Sequence, residues 1–356
     1  MIIFIFGTTA EAIKLAPIAR RLDERNVPYE SWLTLQHTTA LLESLPRIGF
    51  RKPVQAIANG RNGQPLKKSS DVLFWLAQII RWLRRNRTTL RKTLPKKSVI
   101  VVHGDTMTSV VGALIARSLK LPCAHVEAGL RSGNWRHPFP EELDRRIVGR
   151  LANIHYAPSE EATENLTGRT NVVFTHGNTA IDAVLDQPDS TVGDSEDYGI
   201  VLLHRFEFLA NRRLVEDTMA TLTEESPHIL RFFVDEYAKE ALSEILLKAD
   251  RSRIRIENKL DHEQFVSALN HAQFVVTDSG GIQAEAALIG VPTLIHRMAT
   301  EQREGLGKNI VLSEWRQDRL SAFLNNFRDY RHTVARPTRS PSDIIVDDLA
   351  ARGYLN

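Results

Sequence analysis

Three acidic residues, Asp105, Glu127 and Glu141, stand where a parallel α/β sheet presents functional groups. The run from Ser98 to Val102 reads as a buried strand and breaks into His103-Gly104-Asp105-Thr106. Pro122 to Val126 reads as another, with Glu127 just beyond its carboxyl end. One helix, ending at Leu119, separates the two strands, so a right-handed crossover can place them in one parallel sheet with Asp105 and Glu127 on the same rim. Gly129 and Gly133 loosen the backbone that follows, and Pro138 and Pro140 stiffen it. Pro140 at a helix start, followed by Glu141-Glu142, puts acid at the positive end of the helix dipole. Arg145 lies one turn beyond Glu141, so those two can pair. Carboxylates gathered in this way suit proton transfer. The plainer alternative is a surface capping glutamate with a routine ion pair. Metal binding is disfavoured because the His and acidic residues lack tight ligand spacing, and no metal is expected.

A second set of groups lies further along. The strand Gly199 to Leu203 delivers His204 and Arg205. The strand Phe274 to Thr277 leads into Asp278-Ser279-Gly280-Gly281, a strand-to-helix turn whose Ser279 to Gly281 N–H groups and helix dipole can hold a diphosphate. Glu285, in the second turn, is placed to accept hydrogen bonds from a sugar diol. Gly-Gly also serves close helix packing, which is the plainer use of the motif. Lys14, one turn inside the first helix, is either a solvated lysine or a cation for this chemistry.

The elements that must position these groups alternate strand and helix. Ile2 to Phe6 is a strand, Thr8-Thr-Ala-Glu11 matches a capping box, and apolar residues recur at helical spacing to Leu22. Glu30 to Leu35, Ala152 to Tyr156 and Asn171 to Phe174 read as further strands of the first half. Helices are read near Thr38 to Leu45, over Asp71 to Arg85 and over Ser159 to Leu166, with a loop from Ile57 to Leu66. The second half repeats the pattern. A loop over Gln187 to Tyr198 precedes strands at Ile229 to Val234, Ile254 to Ile256 and Pro292 to Ile295, and helices at Leu214 to Leu222, Ala238 to Leu247 and beyond Asp261. At 356 residues the chain exceeds one usual core. We therefore expect an α/β protein of two Rossmann-like, doubly wound domains facing a cleft, residues 1–176 and 177–340, with the carboxylates on one lip and the phosphate turn on the other. A cleft of that kind suits a nucleotide sugar, and residue types alone leave the reaction open.

Composition excludes several classes. With 46 basic and 43 acidic residues the net charge is +3, too balanced to argue for a nucleic-acid partner. The single cysteine, Cys123, sits in an apolar run as a small buried hydrophobe, in keeping with a cytoplasmic setting. Met1 to Phe6 runs straight into Gly7 without signal-peptide features, and no apolar run is long enough for a bilayer. The first turn lacks spaced glycines, so no NAD or FAD is expected. The helix from Asp71 carries an apolar face and a basic flank that includes Arg84, Arg85 and Arg87; we read a packed or dimer-forming helix rather than contact with an anionic membrane.

Gly7-Thr8 with Glu11 to Lys14, His103 to Thr106, His125 to Arg131, Pro140-Glu-Glu142 with Arg145, Gly177-Asn-Thr179 and Asp278 to Gln283 together resemble the non-hydrolysing UDP-N-acetylglucosamine 2-epimerases, in that family's order and over nearly the whole chain. The resemblance implies a glycosyltransferase-B-like fold, a C-terminal helix, about 341–356, crossing back to the first domain, and a homodimer. It implies UDP-GlcNAc and UDP-ManNAc interconverting without a cofactor, by loss of the C2 proton with UDP, formation of 2-acetamidoglucal, and re-addition. Asp105, Glu127 and Glu141 would be the acid/base groups. Lys14, Arg145, His204 and Arg205 would steady the diphosphate or orient the carboxylates. Ser279, Gly280, Gly281 and Glu285 would hold phosphate and ribose, and Phe265 would line the uridine pocket. The chain departs from the family's pattern at Thr9 and Ala10, where Arg-Pro is usual, at Phe206 and at Gln302. Two cations are thereby missing or displaced. A charge-assisted hydrogen bond is worth about 1.5 to 3 kcal/mol, so the absence of even one is enough to change the preferred substrate. The family's His and Asn-Pro segment near Val234 to Tyr237 is also absent, so the allosteric substrate site of some members is not carried over. A different nucleotide sugar, a glycosyltransferase of the same fold and a binding protein without catalysis are the alternatives.

Overall fold

In a parallel sheet both faces are covered, so its strands are apolar throughout. The first strand, β1 (Ile2–Phe6), shows this: all five side chains are buried. Ile2, Phe4 and Phe6 enter one core with Leu15, Ile18 and Leu22, while Ile3 and Ile5 enter another with Trp32, Trp75 and Ile115. The computed structural model describes residues 1–36, 40–51, 54–61, 63, 66, 68–132, 140–186, 197–234, 239, 242, 252–258, 260, 262–300, 304–333 and 338–355. Gly133, Pro138, the loop at 187–196, the helix expected at 238–247 and Gln302 lie outside the described residues.

The chain forms two units, Met1–Ala183 with Pro337–Asn356, and Val184–Arg336. In the first, β1 is joined by β2 (Tyr29–Leu33), β3 (Val54–Ala56), β4 (Val99–His103), β5 (Cys123–Val126), β6 (Ile154–Ala157) and β7 (Val172–Phe174). Their order is β3-β2-β1-β4-β5-β6-β7, with parallel pairing throughout. In the second, β8 (Tyr198–Leu202), β9 (Ile229–Val234), β10 (Ile254–Asn258), β11 (Phe274–Thr277), β12 (Thr293–Ile295) and β13 (Ile310–Leu312) are ordered β10-β9-β8-β11-β12-β13, again parallel. Strand order reverses between β1 and β4 and between β8 and β11. In open α/β sheets ligands bind beyond the carboxyl ends at such a switch point. Gly7, Gly104, His204 and Asp278 follow those four strands.

The C-terminal helix, Pro341–Ala351, belongs to the first unit. Ser340 caps it, and Ile345, Val346 and Leu349 are buried in the core that holds Phe4. Asp182 accepts the Ser342 N–H at 2.8 Å, Arg21 Nε donates to Asp343 at 2.9 Å, and the Tyr156 hydroxyl donates to Asp348 at 2.9 Å. Because Asp182 is tied into this network, the division falls after Ala183 rather than after residue 176.

The fold differs from the sequence-based expectation in three places. The edge strand β3 leaves Gln55 and Ala56 exposed and gives no alternation to read. The helix expected over Asp71 to Arg85 runs from Ser69 to Thr93, because Leu90 still packs on the core among basic neighbours. The strand β13, three residues long, and the helix Gln317–Asn326, which buries Leu320, Phe323 and Leu324 at helical spacing, are not among the elements expected from the sequence.

Candidate active site

The turn after β1 is built by its own side chains. Thr8 caps the helix Thr9–Glu24 by accepting the Glu11 N–H at 3.2 Å, and the Glu11 carboxylate takes the N–H groups of Gly7 at 3.0 Å and Thr8 at 2.9 Å. Its other oxygen accepts the Thr106 hydroxyl at 2.7 Å, tying the β1 turn to the β4 turn. Burial pushes the Glu11 carboxyl above its ordinary range in spite of these hydrogen bonds. One turn further along the same helix, Lys14 reaches the β5 turn.

There Glu127 is held from three sides. Lys14 Nζ lies 2.8 Å from Oε2, Asn178 Nδ2 donates to the same oxygen at 2.6 Å, and His103 Nε2 approaches it at 3.1 Å, off the line of a good hydrogen bond. The Glu127 backbone is left-handed, φ 63°, a conformation that costs a residue with a side chain and persists only where its surroundings over-determine it. Burial works to raise this carboxyl, but the Lys14 ammonium and the His103 ring outweigh it and hold it well below the usual carboxylate range. His125 is neutral, its ring pushed down to about 3 by burial, and its Nε2 donates to the Gly104 carbonyl at 2.7 Å. Behind the turn, Gly129 is required by close approach rather than by looseness: a Cβ there would lie 2.1 Å from the Ala162 carbonyl oxygen.

Asp105 and Glu127 follow neighbouring strands, with His103 in register with Val126, so they share the rim. Glu141 opens the helix Glu141–Leu151, whose Arg145 forms a short ion pair with Asp105. The pairing expected between Glu141 and Arg145 is not the one formed. Arg145 turns to Asp105 and lies 3.8 Å from Glu142, because the crossover brings a partner from a distant turn that helical spacing cannot show. Glu142 is fully buried and accepts from Ser132 N–H at 3.1 Å and Arg146 Nε at 2.9 Å. Glu141 Oε2 is buried without a hydrogen-bond partner among the described residues. Asp144 is also buried, and burial, then the charges of Asp105 and Glu141, push its carboxyl up to about 7.

In the second unit a fully buried Asp278 joins the ends of β8 and β11. It accepts the N–H groups of His204 and Arg205, each at 2.9 Å, and lies 2.9 Å from His204 Nδ1. Arg205 Nε donates to the Asp278 carbonyl at 2.9 Å. The Ser279 N–H, expected to face a diphosphate, donates instead to Thr277 Oγ1 at 3.1 Å. The N–H groups of Gly280 and Gly281, in the first turn of the helix Gly280–Ile289, have no acceptor within the helix itself. Glu285 is held by His262 Nε2 at 2.9 Å, and Phe265 packs edge-on against Phe233. Among the described residues no group of three or more His, Cys, Asp or Glu could hold a metal ion.

Glu11, His103, Asn178, Asp144, Asp278 and His262 carry no role that the sequence alone assigns. The capping box flags Glu11 only as a cap. His103 and Asn178 stand inside motifs without a stated contact, and nothing local marks Asp144 or His262.

Two Rossmann-like sheets in one chain, each delivering its charged side chains at a switch point, put the molecule in the glycosyltransferase-B-like class. A family model described as UDP-N-acetylglucosamine 2-epimerase matches residues 76–343. A UDP-N-acetylglucosamine 2-epimerase of Campylobacter jejuni is 31% identical over 338 residues, covering 87% of this chain and 84% of that protein. The crystal structure of UDP-GlcNAc 2-epimerase from Neisseria meningitidis bound to UDP-GlcNAc is similar with a TM-score of 0.80 and 25% identity, over 98% of this chain and 99% of that one. The Methanocaldococcus jannaschii enzyme in complex with UDP-GlcNAc and UDP gives 0.74 and 26%, over 99% of both. The chain belongs to the UDP-N-acetylglucosamine 2-epimerase family.

Proposed function

We propose that the protein interconverts UDP-GlcNAc and UDP-ManNAc without hydrolysis. In this reading the C2 proton is taken by a carboxylate as the C1–O bond to UDP breaks, leaving 2-acetamidoglucal. UDP then adds back at C1 while C2 is protonated on its other face. The C2 hydrogen is weakly acidic, so the departing diphosphate must be stabilised and the acid/base groups fixed in place. Asp105, Glu127 and Glu141 are the acid/base set, and Glu127 works from its ionised form. Lys14 and Arg145 hold the carboxylates. His204 and Arg205, fixed by Asp278, and the first-turn N–H groups of Gly280 and Gly281 take the diphosphate, while Glu285, set by His262, takes the ribose; Phe265 borders the base.

The observation that carries this reading is the Glu127 clamp: a buried carboxylate in a left-handed turn, fixed by Lys14, Asn178 and His103 beside the Asp105–Arg145 pair. The test is incubation with UDP-GlcNAc in D2O without acceptor. Deuterium should appear at C2 of both epimers, and the D105N, E127Q and E141Q variants should each slow exchange by about 10²- to 10⁴-fold. Undiminished exchange in all three overturns the site, and turnover only with an acceptor overturns the reaction. We extend the reading to a cytoplasmic homodimer serving polysaccharide biosynthesis. The exposed Leu73, Phe74 and Ile80 on the helix Ser69–Thr93 support the dimer, which sedimentation of native protein and an L73E/I80E variant tests.

A further inference from the structure

Asp144 stands on the first turn of the helix Glu141–Leu151, three residues beyond Glu141 and next to Arg145. It is 7% exposed, and its Oδ2 is buried with no hydrogen-bond partner among the described residues. The cations nearest in sequence are engaged elsewhere: Arg145 pairs with Asp105 and Arg146 with Glu142. The helix Met107–Leu119, packed against this one, carries Arg117 as its one ionisable side chain, in its last turn. The strand β5 brings Cys123 and His125, both buried and neutral. What faces Asp144 electrostatically is negative, Asp105 from the β4 turn and Glu141 from its own helix. A buried carboxylate with an unpartnered oxygen and two anionic neighbours favours its neutral form.

We propose that Asp144 is a fourth acid of the site, a positioning residue that keeps its own proton and so limits negative charge around Asp105 and Glu141. The inference rests on the epimerase reading. Its carboxyl, raised to about 7, is neutral below that pH and ionised above it. Once ionised it adds a negative charge facing Asp105 and Glu141 and opposes the negative charge that develops as UDP leaves. Epimerisation therefore falls as the pH rises through about 7.

The pH dependence of kcat/KM for UDP-GlcNAc epimerisation by native protein and by D144N tests this. The amide cannot ionise, so the alkaline limb should move up by about one pH unit or more, whatever the height of the plateau. A limb at the same pH in both proteins overturns the proposal. A residue of merely structural importance would change the melting temperature and leave the limb in place. Infrared difference spectra of native protein between about pH 6 and pH 8 should show a protonated-carboxyl band that titrates, and D144N should lack it. A native spectrum without such a band overturns the proposal even if D144N does not fold. Absence of C2 exchange in native protein at every pH would defeat the epimerase reading, while the infrared titration still decides the state of Asp144.

Discussion

Replacing Lys14 by methionine keeps the stem and deletes the ammonium 2.8 Å from Glu127. Glu127 is 8% exposed and retains Asn178 and His103, so the carboxylate stays buried with one charge-assisted partner fewer. Such an interaction contributes about 1.5 to 3 kcal/mol, and its loss raises the Glu127 pKa. For the first unit, about 200 residues long, the loss lowers the melting temperature by roughly 3 to 12 °C. The pH dependence has a definite sign. The folded pKa of Glu127 lies below its ordinary value of 4.5, so the contribution is complete above pH 4.5 and is lost as the pH falls through the folded value. The gap between native protein and K14M is therefore widest near neutrality and closes on acidification. Trp32, Trp75 and Trp82 lie in the first unit and Trp315 in the second, so in a W315F background tryptophan fluorescence during thermal unfolding at a series of pH values follows the first unit. No gap at pH 7, or a gap that already closes between pH 7 and pH 5, refutes the reasoning.

Three further outcomes are expected. D278N turns an acceptor of two backbone N–H groups partly into a donor; it should cost about 1 to 3 kcal/mol and weaken UDP binding in calorimetry, and native stability with native UDP affinity would show that Asp278 does not organise the β8 and β11 ends. G199A places a Cβ 2.4 Å from the Phe274 ring, so the ring must shift; a cost of about 1 to 3 kcal/mol is expected in urea unfolding, and an unchanged midpoint would contradict the packing. Removing residues 341–356 strips Ile345, Val346 and Leu349, all fully buried, a loss of about 4.5 to 9 kcal/mol at about 1.5 to 3 per side chain. The truncated chain should bind ANS and lose its cooperative transition, and a native melting temperature would show that the helix is not part of the first core.

Much of the framework was legible because it is local. Continuous apolar strands mean a sheet covered on both faces, and β1, β4, β8 and β11 carried that mark. The capping box at Thr8 and Glu11 and the acidic start at Glu141 state where helices begin, because unsatisfied N–H groups choose those residue types. Since strand ends precede turns, Asp105, Glu127, His204 and Asp278 could be placed at carboxyl ends from the chain alone.

Partners and protonation states were not local. Helical spacing allows Arg145 to meet Glu141, and the crossover from β4 offers it Asp105 instead. Lys14 reads equally as a solvated residue until β1, β4 and β5 are set side by side and its ammonium meets Glu127. Ser279 shows the same limit, since its N–H belongs to Thr277 rather than to a ligand. Asp144 is an ordinary acidic residue in the first turn of a helix; only burial beside two other carboxyls gives it a reason to keep a proton. The sequence by itself determined which backbone segments end where, because those signals act over a few residues. Tertiary structure decided which charges face one another and how dry they are, because Coulomb interactions and desolvation depend on distances the linear order does not contain.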